Sequence, residues 1–248
     1  MSDEEVPDSI DQLILISGFS STGKSASLRN IRNQPLWMYF GTEAGKRLPF
    51  KNKFDAYRIT DPQQVLDGFD YATNNAPECE GIVLDSMTFL MDMLETMYVI
   101  NAANTQAAWG YFAQYFKQLM QSKVALFGKP VIVIAHVKEE LDPASQSMKT
   151  KVPIKGSLKN NGVEAYFSTV VMAKRMTLKQ LEGYASDLLT ITDEERDLGY
   201  KHVFQTRLTK ETTGETIRSP MGMFTKAQTY MDNDAQLLLD HVTKFYAE

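Results

Sequence analysis

The sequence predicts an α/β fold, a mainly parallel sheet flanked by helices, on three observations. Short runs of Ile, Val and Leu recur without polar alternation, segments of helical period lie between them, and a glycine-rich loop joins the first run to the first helical segment. Unalternating apolar strands belong in a parallel sheet covered on both faces. Strands that alternate with helices connect through right-handed crossovers.

Taken in order, strands are expected at 13–17, 36–40, 81–85, 131–136, 168–173 and 202–208, with helices at 24–32, 61–74, 88–103, 107–126 and 233–246. Trp109, Phe112, Tyr115, Phe116 and Leu119 recur at helical spacing, which marks the buried stripe of a core or subunit-interface helix. Segment 138–161 breaks the rhythm. It is polar, holds Pro143 and Pro153 and follows neither period, so it reads as a mobile loop. Residues 177–199 read as a helical insertion ending in DEERD, and KETTGETIRS at 210–219 as a late hairpin turning about Gly214. The expected organisation is an acidic, flexible N-terminus over 1–9, one core over 10–230 and a C-terminal helix over 231–248.

Composition narrows the class. The chain has 248 residues with 26 basic and 31 acidic side chains, a formal net charge of -5, and 43% hydrophobic and 23% charged residues. Those values suit one globular core and exclude collagen-like, low-complexity and wholly disordered chains. A single cysteine, Cys79, rules out an intrachain disulfide framework and a zinc-finger cluster, and the three histidines, His136, His202 and His241, lack ligand spacing. The start MSDEEVPDSIDQ is acidic where a secretory signal is basic and then apolar, and no apolar run nears the ~20 residues that cross a bilayer. A cytoplasmic protein with no membrane partner is expected.

The strand LILIS leads directly into Gly18, Phe19, Ser20, Ser21, Thr22, Gly23, Lys24 and Ser25, which match GxxxxGK[ST] at every fixed position. Each part does something physical. Backbone N–H groups of the loop and of the helix opening at Ser25 and Ala26 hold phosphate oxygens, and the glycines permit the tight turn. Lys24 brings positive charge to the β and γ phosphates, and the Ser25 hydroxyl ligates Mg²⁺. Binding of ATP or GTP follows, with Gly18 to Ala26 as the nucleotide contacts.

Three strand ends add candidates. GIVLD closes on Asp85, placed to organise Mg²⁺ through its water shell, although an aspartate there also suits a helix cap. Ser86 follows it, so another carboxylate must orient the attacking water. Glu43, in GTEAG after the strand at 36–40, is the candidate. VIVIAH delivers His136, whose ring can bond the γ phosphate or the water and report to the segment after it.

GFSSTGKS, the glutamate of YFGTEAG, GIVLDS and VIVIAH together resemble the RecA-type core of P-loop ATPases, and more narrowly the small phage-encoded RecA-core ATPases linked to single-strand annealing and recombination. The resemblance spans about residues 10 to 225, and its order and spacing carry it. It implies a RecA-like P-loop NTPase core, ATP hydrolysis with ATP and Mg²⁺ as cofactors, Glu43 as catalytic base and His136 as γ-phosphate sensor, where RecA itself usually has glutamine. It also implies that 138–161 binds single-stranded DNA; Lys149, Lys151, Lys155 and Lys159 lie there, with no acidic residue between 144 and 161. With no aromatics for stacking in that loop, contacts would fall on the DNA backbone. A homo-oligomer, ring or filament, is implied as well, with a cation from Arg207 or Lys210 reaching the neighbour's nucleotide. A phage recombination or single-strand-binding protein would be the partner.

Two other classes share the loop. One is a nucleotide-switched adaptor, similar to KaiC-type regulators, acting on a protein without DNA. The other is a small-molecule kinase, which typically needs a lid with arginines; 138–161 has none.

Overall fold

The computed structural model describes residues 10–43, 45–143 and 146–247, with Asn160 and Asn161 described by their backbone alone. The acidic terminus over 1–9 lies outside the described residues. Ten strands follow in chain order: β1 (Leu13–Gly18), β2 (Trp37–Gly41), β3 (Asp55–Arg58), β4 (Gly81–Asp85), β5 (Val131–His136), β6 (Lys138–Asp142), β7 (Ser147–Lys151), β8 (Thr169–Thr177), β9 (Tyr200–Gln205) and β10 (Tyr230–Asp232). The helices are α1 (Gln63–Asn74), α2 (Met87–Tyr98), α3 (Thr105–Gln118), α4 (Val124–Phe127), α5 (Leu158–Asn161), α6 (Leu178–Leu181), α7 (Asp193–Leu198) and α8 (Ala235–Ala247).

Eight strands form one sheet in the order β10-β9-β8-β1-β5-β4-β2-β3. From β8 across to β3 every pair is parallel, and β9 alone runs against the others, antiparallel to both β8 and β10. All six expected strands are present, and the architecture is the expected α/β one, a mainly parallel sheet flanked by helices.

The apolar strands do not alternate because both of their faces are covered. Leu13, Leu15, Ile82, Leu84, Val131 and Val133 point to one side and bury against α1, α2 and α3. Ile14, Ile16, Val83, Ile132 and Ile134 point to the other and bury against α8 with Leu28, Met223 and Phe224. At ~1.5–3 kcal/mol for each large side chain buried, a strand polar on either face would forfeit much of this. Phe112, Tyr115, Phe116 and Leu119 are all buried, as their spacing predicts, in α3 and the π-helical turn Leu119–Lys123 that joins it to α4. Among the described residues no helix is long and apolar enough to cross a membrane.

Four expectations change. The helix expected at 24–32 is a 3₁₀ helix, Ser25–Asn30, because the Ser27 hydroxyl donates to Lys24 O at 2.6 Å and its N–H divides between Gly23 O and Lys24 O. Segment 138–161 begins as a hairpin, β6 against β7, whose charged strands carry no alternation to reveal it. Residues 210–219 do not form a hairpin about Gly214; Gly214 instead lies against β7, where its carbonyl accepts from Thr150 N at 2.8 Å and a Cβ would stand 2.1 Å from Met148 O. The insertion 177–199 is helical only at its ends, in α6 and α7. β3 was not legible, since its four residues are all exposed on a polar sheet edge.

Candidate functional site

The phosphate loop turns at Gly18, where a Cβ would lie 2.7 Å from Thr22 Oγ1 and 2.8 Å from Ala173 O, and again at Gly23, whose φ of +93° suits glycine. Two residues that sequence reasoning gave no role brace it from outside. Asn233, just past β10, donates to Gly23 O at 2.9 Å, and the His202 Nδ1 lies 3.0 Å from Thr22 O. The loop and its surroundings enclose a cavity of about 730 Å³ lined by Ser20, Ser21, Gly23, Lys24, Ser25 and Ala26. Glu43, Lys46 and His136 line the same cavity.

Lys24 is buried and donates to Gly18 O at 3.0 Å and Phe19 O at 2.6 Å. Burial lowers its pKa to about 8, against the opposing charges of Asp85 and Glu43. Its Nζ is 3.5 Å from His136 Nδ1, and His136 Nε2 is 3.4 Å from Glu43 Oε1. An ammonium can only donate, so Nδ1 accepts and Nε2–H donates to the carboxylate, which is the neutral imidazole. Burial first, and the Lys24 charge next, hold the His136 pKa below its ordinary value and favour that form. Glu43 also pairs with Lys46 through its second oxygen. A Thr88 hydroxyl accepts from His136 N at 2.9 Å and fixes the end of β5.

Asp85 closes β4 fully buried, and its Oδ2 accepts from the Tyr39 hydroxyl at 3.0 Å. Burial pushes its pKa up, opposed by hydrogen bonding from the Ser25 and Tyr39 hydroxyls. Its Oδ1 is buried without a hydrogen-bond partner. A buried, unsatisfied carboxylate oxygen in one recess with Ser25 suits a hard cation, so the residues fit Mg²⁺. No group of three His, Cys, Asp or Glu side chains gathers for a metal among the described residues. Thr42, next to Glu43, ties β2 to β4: its hydroxyl donates to Ser86 O at 2.7 Å and accepts from Ser86 N at 2.8 Å. Sequence offered no signal for Tyr39 or Thr42, because neither sits at a strand's last position.

The remaining candidates are not brought into this cavity. Arg207 and Lys210 follow the C-terminal end of β9, whereas its first residue, Tyr200, lines the cavity; Arg207 instead donates to Phe224 O at 3.1 Å. Of the four lysines, Lys149 pairs with Asp142 and Lys155 with Glu95, while Lys151 and Lys159 are exposed and in no ion pair among the described residues. The acidic partner of Lys149 comes from β6, just before the acid-free stretch.

A family model described as an AAA domain matches residues 11–215. A solved structure described as the crystal structure of the RadB recombinase is similar over 66% of this chain and 74% of its own, at 12% identity and a TM-score of 0.37. No curated protein matches.

Proposed function

The chain belongs to the AAA domain family, and from that premise we propose that it is a Mg²⁺-dependent ATPase that assembles with copies of itself and acts on single-stranded DNA. The observation that carries the ATPase reading is the contact series Lys24, His136, Glu43, which joins the phosphate loop to the ends of β5 and β2. Lys24 turns from its loop carbonyls to the β and γ phosphates. Ser25 and Asp85 would hold Mg²⁺, which would neutralise charge developing on the phosphate oxygens. Glu43 accepts a proton from water as its oxygen attacks the γ phosphorus, releasing ADP and phosphate. His136, bonded to both Lys24 and Glu43, carries the state of that site to β6, two residues further on. A neighbouring copy supplies Arg207 or Lys210, and Lys151 and Lys159 lead the contacts to DNA phosphates, joined by Lys149 and Lys155 when their carboxylates release them.

Glu43→Gln tests the base. ATP should bind with undiminished affinity while phosphate release falls by ~10²–10⁴-fold; an unchanged rate sinks the assignment. The ion pairs of Lys149 and Lys155 favour a second reading, a nucleotide-switched adaptor for a protein partner. Anisotropy of a labelled single-stranded oligonucleotide at low and moderate salt separates the two, since an adaptor leaves it unbound with or without ATP.

A further inference from the structure

The cavity continues past the phosphate loop to a wall that phosphate chemistry does not explain. Glu43 and His136 reach the cavity from β2 and β5, on one side of β1, and Tyr200 and His202 from β9, on the other, where Arg29 and Leu198 also line it. Leu198 closes α7 and Tyr200 opens β9, so the wall comes from the end of insertion 177–199 and the strand after it. Leu198 is 54% exposed, an apolar side chain kept at the cavity rim.

This wall is held firmly. α7 opens on a reciprocal cap between Thr192 and Glu195, and Gly199 ends it at φ +75°. Glu195 also accepts from Lys201 Nζ at 2.6 Å, and Lys201, 7% exposed, reaches Asp232 of β10 at 3.1 Å. A buried lysine shared by two carboxylates from different elements fixes α7 above β9. The Tyr200 ring is fixed too: the Arg175 guanidinium lies 5.4 Å from its centroid, and His202 meets it edge-on at 6.0 Å.

Resting on the nucleotide reading above, we propose that α7 and the start of β9 are the nucleobase-recognition element of this site. Tyr200 and Leu198 form the apolar wall against which a purine base packs, with Arg29 as the polar rim. With the γ phosphate directed to Glu43 and His136, the nucleoside extends the opposite way along the loop, where this wall stands. A cavity of about 730 Å³ lies in the range of sites that enclose a ligand of nucleotide size. An aromatic ring held in place before the base arrives adds stacking energy at little entropic cost.

Calorimetric titration of the full chain with ATP and with inorganic tripolyphosphate, both with Mg²⁺, tests this. Tyr200→Ala and Leu198→Ser should each weaken ATP by about tenfold and leave tripolyphosphate unchanged. Tyr200→Phe should bind ATP as the unaltered chain does, and Lys24→Ala should weaken both ligands. If Tyr200→Ala lost both ligands through misfolding, Leu198→Ser, at an exposed site, would decide the matter alone. Unchanged ATP affinity in Leu198→Ser, with Lys24→Ala still defective, would overturn the wall and leave the nucleotide reading standing. An unaltered chain that bound neither ligand would overturn that reading and the wall with it.

Discussion

On one side of β1, the strands β5, β4 and β2 all run parallel to it; His136, at the end of β5, and Glu43, just beyond β2, line the cavity, and Asp85, at the end of β4, lines the recess it shares with Ser25. On the other side β9 is reversed: its start, Tyr200 and His202, faces the cavity, and Arg207 and Lys210 beyond its end do not line it. β10 restores the parallel direction and places Asn233 against the phosphate loop. Strand direction therefore decides which end of a strand carries chemistry. On the function proposed above, the two sides also divide the work, with proton and phosphate chemistry on the parallel side and support of the loop on the mixed side.

The largest effect should separate those roles. Lys24→Ala should raise the Kd for ATP by ~10²-fold or more, since it removes a charged partner of the phosphates, whereas Asn233→Ala removes one neutral hydrogen bond and should cost only about 1 kcal/mol, roughly fivefold. Titration calorimetry on both variants reads the difference; equal losses would erase the division.

A smaller effect lies in stability. The folded-state pKa of Lys24 is about 8 and its ordinary value 10.5. Between those values the unfolded chain binds more protons, so this residue's contribution makes the nucleotide-free protein more stable as pH rises, and below pH 8 its buried charge costs stability. Lys24→Met should accordingly raise the Tm at pH 7 by a few degrees, with the gain shrinking between pH 8 and pH 10.5. Thermal unfolding of both chains across that range checks it, and a gain that grew with pH would contradict the burial of a charged Lys24.

The smallest effect compares paired with unpaired lysines. Lys151→Ala with Lys159→Ala should flatten the salt dependence of oligonucleotide binding by roughly 1.4 in log–log slope, at about 0.7 for each single-strand phosphate no longer neutralised. Lys149→Ala with Lys155→Ala should flatten it less, because their carboxylates already compete for the charge. Anisotropy titrations at several salt concentrations measure both.

The parts of the site that could be read from sequence share one property: they are set by a few neighbouring residues. GFSSTGKS fixes the loop through its glycines and lysine, and GIVLD or VIVIAH announces a buried strand whose last residue meets the sheet edge. β6 and β7 could not be read, because KEELD and SMKTK owe their pairing to each other and to residues 214–216. Tyr39, Thr42 and Asn233 were equally silent, since each acts through a partner 44 or more positions away.

By itself, the sequence determined the α/β class, the parallel core and the phosphate loop, because apolar period and turn chemistry are local and one covered sheet satisfies them. Only the tertiary structure decided the direction of β9, the pairing of Lys149 with Asp142 across the hairpin, and the meeting of Lys24, His136 and Glu43. Those depend on which strands lie side by side, and strand order is settled by packing across the whole chain.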